Sequence, residues 1–161
     1  MTLQLQNSVA SPQDLKEAIL GVRRYARWFA QAALKQRVSG NQPEPQPAIT
    51  PATAQIINQW AGQKPLSTAS LDELIADMEA FAAAAPRMVI TLAAPAPGDL
   101  KRQLVDWCRR NVAPDVLVDF RFNSSLLGGL VVSYGSHVYD WSFRRQILAA
   151  KDKFPEALRH V

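Results

Sequence analysis

Apolar residues in the first quarter of the chain recur at helical spacing. Leu15, Ile19, Val22, Ala26, Phe29 and Ala33 share one stripe, while Arg23, Arg24, Arg27, Gln31 and Lys35 fall largely on the other sides. Ser11-Pro12-Gln13-Asp14 opens the stripe as a helix start: serine as N-cap, proline at the first helical position, an acid three residues after the cap. The spacing predicts an amphipathic helix ending near Ser39-Gly40. "NQPEPQPAITP" (41–51) then places four prolines between positions 43 and 51, and these predict an extended linker because proline fixes φ and removes donors. Thr50-Pro51 repeats the cap-plus-proline pattern. A short helix is expected from there through Ile56, Ile57 and Trp60, ended by Gly62. Ser70 and Glu73 read as an S-x-x-E capping box for a third helix, with Leu71, Leu74, Ile75, Met78 and Phe81 on one stripe and Pro86 as its stop.

From Arg87 the period changes. "RMVITL" is short and β-branched, which predicts a strand. "APAPGDLKRQLVDWCRRN" reads as a loop and a helix with Leu100, Leu104, Trp107 and Cys108 inward. "VLVDFRF" (116–122) is a second strand, followed by "LLGGLVVSY", a turn at Gly135-Ser136, and "HVY". Asp140 is placed to cap a last helix through Phe143, Ile147 and Leu148 that ends before Pro155. The fold class is therefore α+β: an N-terminal helical region of about three helices, then a strand–helix–strand–strand–helix module. The expected divisions are an amphipathic helix (1–40), a proline-rich linker (41–51), a helical region (52–86) and a C-terminal α/β domain (87–154).

Composition narrows the class. The 161 residues are 48% hydrophobic and 20% charged, which is globular and long enough to bury a core without a metal or disulfide. One cysteine leaves no internal disulfide and fits a reducing compartment. No apolar window reaches the roughly 18 residues of a spanning helix, and "MTLQLQNSVASPQ" lacks the basic start and apolar core of a signal peptide. Cytosolic placement, with membrane attachment only through a partner, is expected. The net charge of +4 is unevenly spread: residues 12–37 carry six Lys/Arg against two acids, and residues 38–86 one against five. No long run of one sign demands nucleic acid as a partner.

The candidate chemistry is thin. Gly128-Gly129 has no Lys and Ser/Thr at P-loop offsets, and a strand rather than a helix follows it, so a bulge or close backbone approach within a hairpin is expected. Cys108 shares a helical face with Leu104 and has no nearby histidine, which makes it an inert thiol. His137 and His160 lack ligand spacing, so neither a metal nor a cofactor is expected. Asp99, Asp106, Asp115 and Asp119 have plain roles near helix starts or on solvated faces, and an enzyme is disfavoured. Arg23, Arg24 and Arg27, interleaved with Tyr25 and Trp28, form a candidate partner-binding face. The competing readings are a free-standing basic adaptor that binds RNA or an anionic membrane surface through those arginines, and a small hydrolase.

Residues 122–147, "FNSSLLGGLVVSYGSHVYDWSFRRQI", resemble the C-terminal signature of the F-type ATP synthase delta subunit and its mitochondrial counterpart, the oligomycin-sensitivity-conferring protein. Ser125, Leu126, Gly128, Gly129 and Leu130 to Val132 match that pattern, as do Gly135, Val138, Tyr139, Asp140, Ser142, Arg144 and Gln146. "MVITLAAPAP" and residues 99–110 are similar to the strand, turn and helix upstream, so the resemblance covers about residues 87–151. Trp141 stands where a glycine is usual, Ser133 where an arginine is, and Ser124 where a proline is. "YARWFAQAA" (25–33) is similar to the family's first helix, although the 86 residues ahead of the match are fewer than its six-helix N-terminal bundle takes.

The resemblance implies a non-catalytic peripheral-stalk subunit at the cytoplasmic face of the cell membrane. Such a subunit connects the catalytic head, through its alpha subunits, to the C-terminal helices of the membrane-anchored b subunits, and so resists rotor torque. It needs no cofactor. Leu126, Leu127, Phe143 and Ile147 are the residues expected to meet b-subunit helices.

Overall fold

The computed structural model describes residues 9–39 and 45–151. The chain divides into two compact units, Met1–Ala85 and Pro86–Val161.

The first unit holds α1 (Pro12–Ser39), α2 (Pro51–Ala61) and α3 (Thr68–Ala84). The start of α1 is closed reciprocally: Asp14 N donates to Ser11 Oγ at 3.1 Å, and Ser11 N donates to the Asp14 carboxylate at 3.0 Å. Thr50 caps α2 by accepting from Thr53 N at 3.2 Å, with Pro51 next, and Gly62 closes that helix. The start of α3 corrects the sequence reading. Its N-cap is Ser67, not Ser70, and Ser70 takes the N3 role: Ser70 N donates to Ser67 Oγ at 3.1 Å, and Ser67 N to Ser70 Oγ at 2.9 Å. Glu73 instead pairs with Lys64, whose ammonium lies 5.0 Å from the Trp60 ring centre.

Packing in this unit differs in phase from the expected stripe. Leu15, Ala18, Val22 and Tyr25 of α1 are buried, whereas Ile19, Ala26 and Phe29 are half-buried. Tyr25 is buried, and its ring packs on Trp28 (centroids 5.4 Å) and Phe29 (6.3 Å). Ile56, Ile57 and Trp60 of α2 and Leu71, Leu74 and Met78 of α3 complete the core. Residues 41–44 of the expected linker lie outside the described residues, and 45–50 have no regular structure.

The second unit runs β1 (Arg87–Leu92), α4 (Gly98–Asn111), β2 (Leu117–Phe122), a 3-10 turn (Ser124–Leu126), β3 (Leu130–Tyr134), β4 (His137–Asp140) and α5 (Phe143–Ala150). Its four-stranded sheet has the order β2-β1-β3-β4. β1 is parallel to β2 and antiparallel to β3, and β3 and β4 form a hairpin. The strand–helix–strand–strand–helix pattern undercounts the strands by one, because the segment from His137 pairs as a strand in its own right. Met88 and Ile90 on one sheet face are buried, as are Val105 and Cys108 of α4, and Cys108 Sγ lies 3.4 Å from Met88 Sδ.

That face corrects the expected orientation of α4. Val105 and Cys108 point inward, whereas Leu100 and Trp107 are exposed and Leu104 is half-buried. Among the described residues no helix is long and apolar enough to cross a membrane.

Candidate functional site

Two parts of the signature stretch meet where the chain enters β3 and leaves β4. After β2, Asn123 N donates to Leu92 O at 2.9 Å, and its side-chain oxygen accepts from Ser125 N (3.0 Å) and Ser125 Oγ (2.7 Å). This Asx turn starts the 3-10 segment. Leu126 then enters the core, and Leu127 turns outward in the left-handed region at φ 62° with 65% of its surface exposed. A bulky residue in that region costs roughly 1–2 kcal/mol, so an exposed apolar side chain is being held there against local preference.

Gly128 and Gly129 are not a bend between paired strands. β2 and β3 are not neighbours in the sheet, and the hairpin turn lies at Gly135, with φ 58°. The double glycine lets two backbones approach instead. Phe143 N donates to Gly128 O at 3.1 Å, and Trp141 N donates to Leu130 O at 2.9 Å. A Cβ on Gly128 would meet the Phe143 ring at 2.4 Å, and one on Gly129 the Trp141 carbonyl oxygen at 2.2 Å. The pair therefore clasps the start of α5 to the segment entering β3.

The other side of the clasp is electrostatic. Ser142, not Asp140, caps α5, accepting from Arg145 N at 3.3 Å. Asp140 acts one step earlier and accepts from Ser142 N at 2.8 Å. Hydrogen bonding from Ser142, side chain first and backbone second, holds the Asp140 carboxyl below the usual carboxylate range, with Arg145 and Arg144 adding a smaller pull. Arg145 also donates to Asp140 O at 2.9 Å. The sequence reading missed this role for Arg145. The matched arginine, Arg144, is simply exposed.

The candidate residues thus separate. Leu126 is buried at 8% exposure, so it is core and not a contact. Leu127, Phe143 and Ile147 are exposed at 65%, 53% and 46%, and Val138 at 65%. Tyr139 stacks between His137 and Trp141, with centroids 6.4 and 5.8 Å apart. The arginine face of α1 belongs to the other unit: Arg23 pairs with Glu79, Arg27 donates to Arg23 O, and Arg24 is exposed. Arg23 and Arg27 line a groove of about 500 Å³ between α1 and α3, opposite Asp72.

Among the described residues no three His, Cys, Asp or Glu side chains gather as a metal site. The buried Cys108 thiol is pushed up by desolvation, away from its nucleophilic form. The second unit exposes several large apolar and aromatic side chains, among them Trp107, Leu127, Val138, Tyr139, Trp141 and Phe143.

Comparison with known proteins points the same way. The family model described as ATP synthase delta (OSCP) subunit matches residues 63–154, taking in α3 as well as the α/β unit. ATP synthase subunit delta of Myxococcus xanthus is 37% identical over 79 residues, which are 49% of this chain and 43% of that protein. The matched stretch thus spans less than half of the relative's length. With most of the chain under the family model, the chain belongs to the ATP synthase delta (OSCP) subunit family.

Proposed function

We propose that this chain is a non-catalytic peripheral-stalk subunit of a proton-translocating F-type ATP synthase. It would act at the cytoplasmic face of the membrane, attached through its partners. In a rotary synthase, ATP forms only if the catalytic head stays still while the central stalk turns. A static piece must therefore transmit torque from the head to the membrane anchor. Such a piece needs stiffness and contact surfaces, not reactive groups.

The observation that carries this reading is the match over residues 63–154 together with what those residues expose. Leu127, Phe143 and Ile147 stand out from a clasp braced by Gly128, Gly129, Asp140 and Ser142, and apolar anchors on a stiff support suit a helical partner. In this proposal they meet the C-terminal helices of the b subunits. The Arg23, Arg24 and Arg27 face of α1 offers a second contact, towards the alpha subunits of the head.

Co-purification tests the reading. A tagged full-length chain, expressed with the b and alpha subunits of its own organism, is expected to retain both through gel filtration. Loss of b from the complex on Leu127→Ser with Ile147→Ser, while the chain stays folded, would support the C-terminal contact. A chain that retains neither subunit contradicts the reading.

A further inference from the structure

Leu127 sits where a leucine is a poor choice. Its φ of 62° lies in the left-handed region, where a Cβ crowds the backbone. Among the described residues it is the one non-glycine with a positive φ. The chain places glycine at the nearby left-handed positions, Gly129 at 74° and Gly135 at 58°. At Leu127 it does not.

Local structure gives no reason for the exception. Leu127 ends the 3-10 turn, and its N–H donates to Ser124 O at 3.1 Å. The backbone alone makes that bond, and glycine or asparagine closes such a turn more easily. Core packing gives no reason either. Leu126, one residue earlier, takes the buried place at 8% exposure, while Leu127 keeps 65% of its surface exposed. A leucine side chain carries no polar atom, so it serves neither a hydrogen bond nor an ion pair.

The backbone on both sides pins the conformation. Before Leu127, the Asn123 side-chain oxygen accepts from Ser125 N (3.0 Å) and Ser125 Oγ (2.7 Å) and fixes the Asx turn. After it, Gly128 O accepts from Phe143 N at 3.1 Å, and Leu130 O from Trp141 N at 2.9 Å. An unfavourable φ persists only where its surroundings over-determine it, and such residues gather at sites that bind. A pinned backbone also needs little further ordering at the moment of contact.

We propose that Leu127 is kept, although it destabilises the free chain, as the apolar anchor of a contact with another protein. The anchor meets an apolar patch on the stalk partner, and the identity of that partner as the b subunit rests on the function proposed above. Phosphate-bearing partners are gripped by charge and hydrogen bonding, which leucine cannot supply.

Three substitutions in the full chain test this, each read in two ways. One readout is the denaturant midpoint of the free chain. The other is calorimetric titration with the soluble portion of the b subunit from the same organism. Leu127→Asn and Leu127→Gly relieve the strain and remove the anchor. Their midpoints are expected at or above that of the wild type, with Asn the higher because glycine also loosens the unfolded chain. Their affinity for b is expected to fall about tenfold or more, the worth of one buried leucine. Leu127→Met keeps the strain and an apolar side chain, and it is expected to match the wild type on both counts. Midpoints that fall for both Asn and Gly would mean that Leu127 packs within its own chain, and would overturn the proposal. If the wild type binds b and the Asn variant binds it as tightly, the anchor is overturned and the stalk reading stands. A wild-type chain that does not bind b overturns the stalk reading and this contact with it. Self-association of the free chain, abolished by Leu127→Asn, would overturn the b subunit as the occupant.

Discussion

Among the described glycines, Gly129 has the narrowest tolerance. Its φ of 74° suits glycine, and a Cβ there would sit 2.2 Å from a backbone oxygen that cannot swing away. Gly129→Ala is therefore expected to destabilise the second unit by about 2 kcal/mol or more, read as a lower denaturant midpoint at unchanged slope. Asp140 makes a pH-dependent contribution to the same clasp. Its folded-state value is depressed, so the ionised carboxylate stabilises above the ordinary carboxylate range, and that support is lost as pH falls through the depressed value. Asp140→Asn should flatten this acid limb in denaturation curves taken between about pH 5 and 2, while leaving the neutral-to-basic limb unchanged. Cys108 has the opposite sign. Burial raises its thiol, so the protonated form stabilises at neutral pH and that support is lost as pH rises. A thiol reagent is expected to label it only when the protein unfolds, and rapid native labelling would contradict its packing against Met88.

At the scale of elements, α1 packs closely against α2 at Gly21. A Cβ on Gly21 would meet Thr53 Oγ1 at 2.6 Å, and Thr53 is fully buried with its hydroxyl 2.9 Å from Thr50 Oγ1. Gly21→Ala should cost about 1–3 kcal/mol through overpacking. Adding Thr53→Ala should recover part of that loss, a non-additivity that identifies the contact. Local chemistry made some elements readable in advance. Ser11-Pro12 and Thr50-Pro51 set their own helix starts, because a cap and its proline act within four residues. α3 was misread because Ser67, Ser70 and Glu73 offer two overlapping boxes. The fold uses a hydroxyl at N3, which leaves the carboxylate for Lys64. α4 was misread for a different reason: periodicity reports how wide an apolar arc is, not which part of it the fold covers. The place of β3 beside β1, and hence the real role of Gly128-Gly129, depends on pairing across distant sequence, which no local pattern encodes.

At the scale of the molecule, the family was legible through a signature and not through chemistry. The matched residues turn out to be largely structural: Gly128, Gly129 and Gly135 shape the backbone, Leu126 fills the core, and Asp140 and Ser142 brace a helix start. Exposed apolar residues, among them Leu127, Ile147, Trp107 and Tyr139, are set beside that frame. Leu127 and Ile147 were legible in the sequence, whereas the exposure of Trp107 and Tyr139 is read only from the fold. The most direct test is proton-driven ATP synthesis in vesicles bearing the organism's complete synthase, assembled with and without this chain. Synthesis is expected to require the chain, while ATP hydrolysis by the detached head proceeds equally well in its absence. Synthesis at the same rate without the chain would contradict the account.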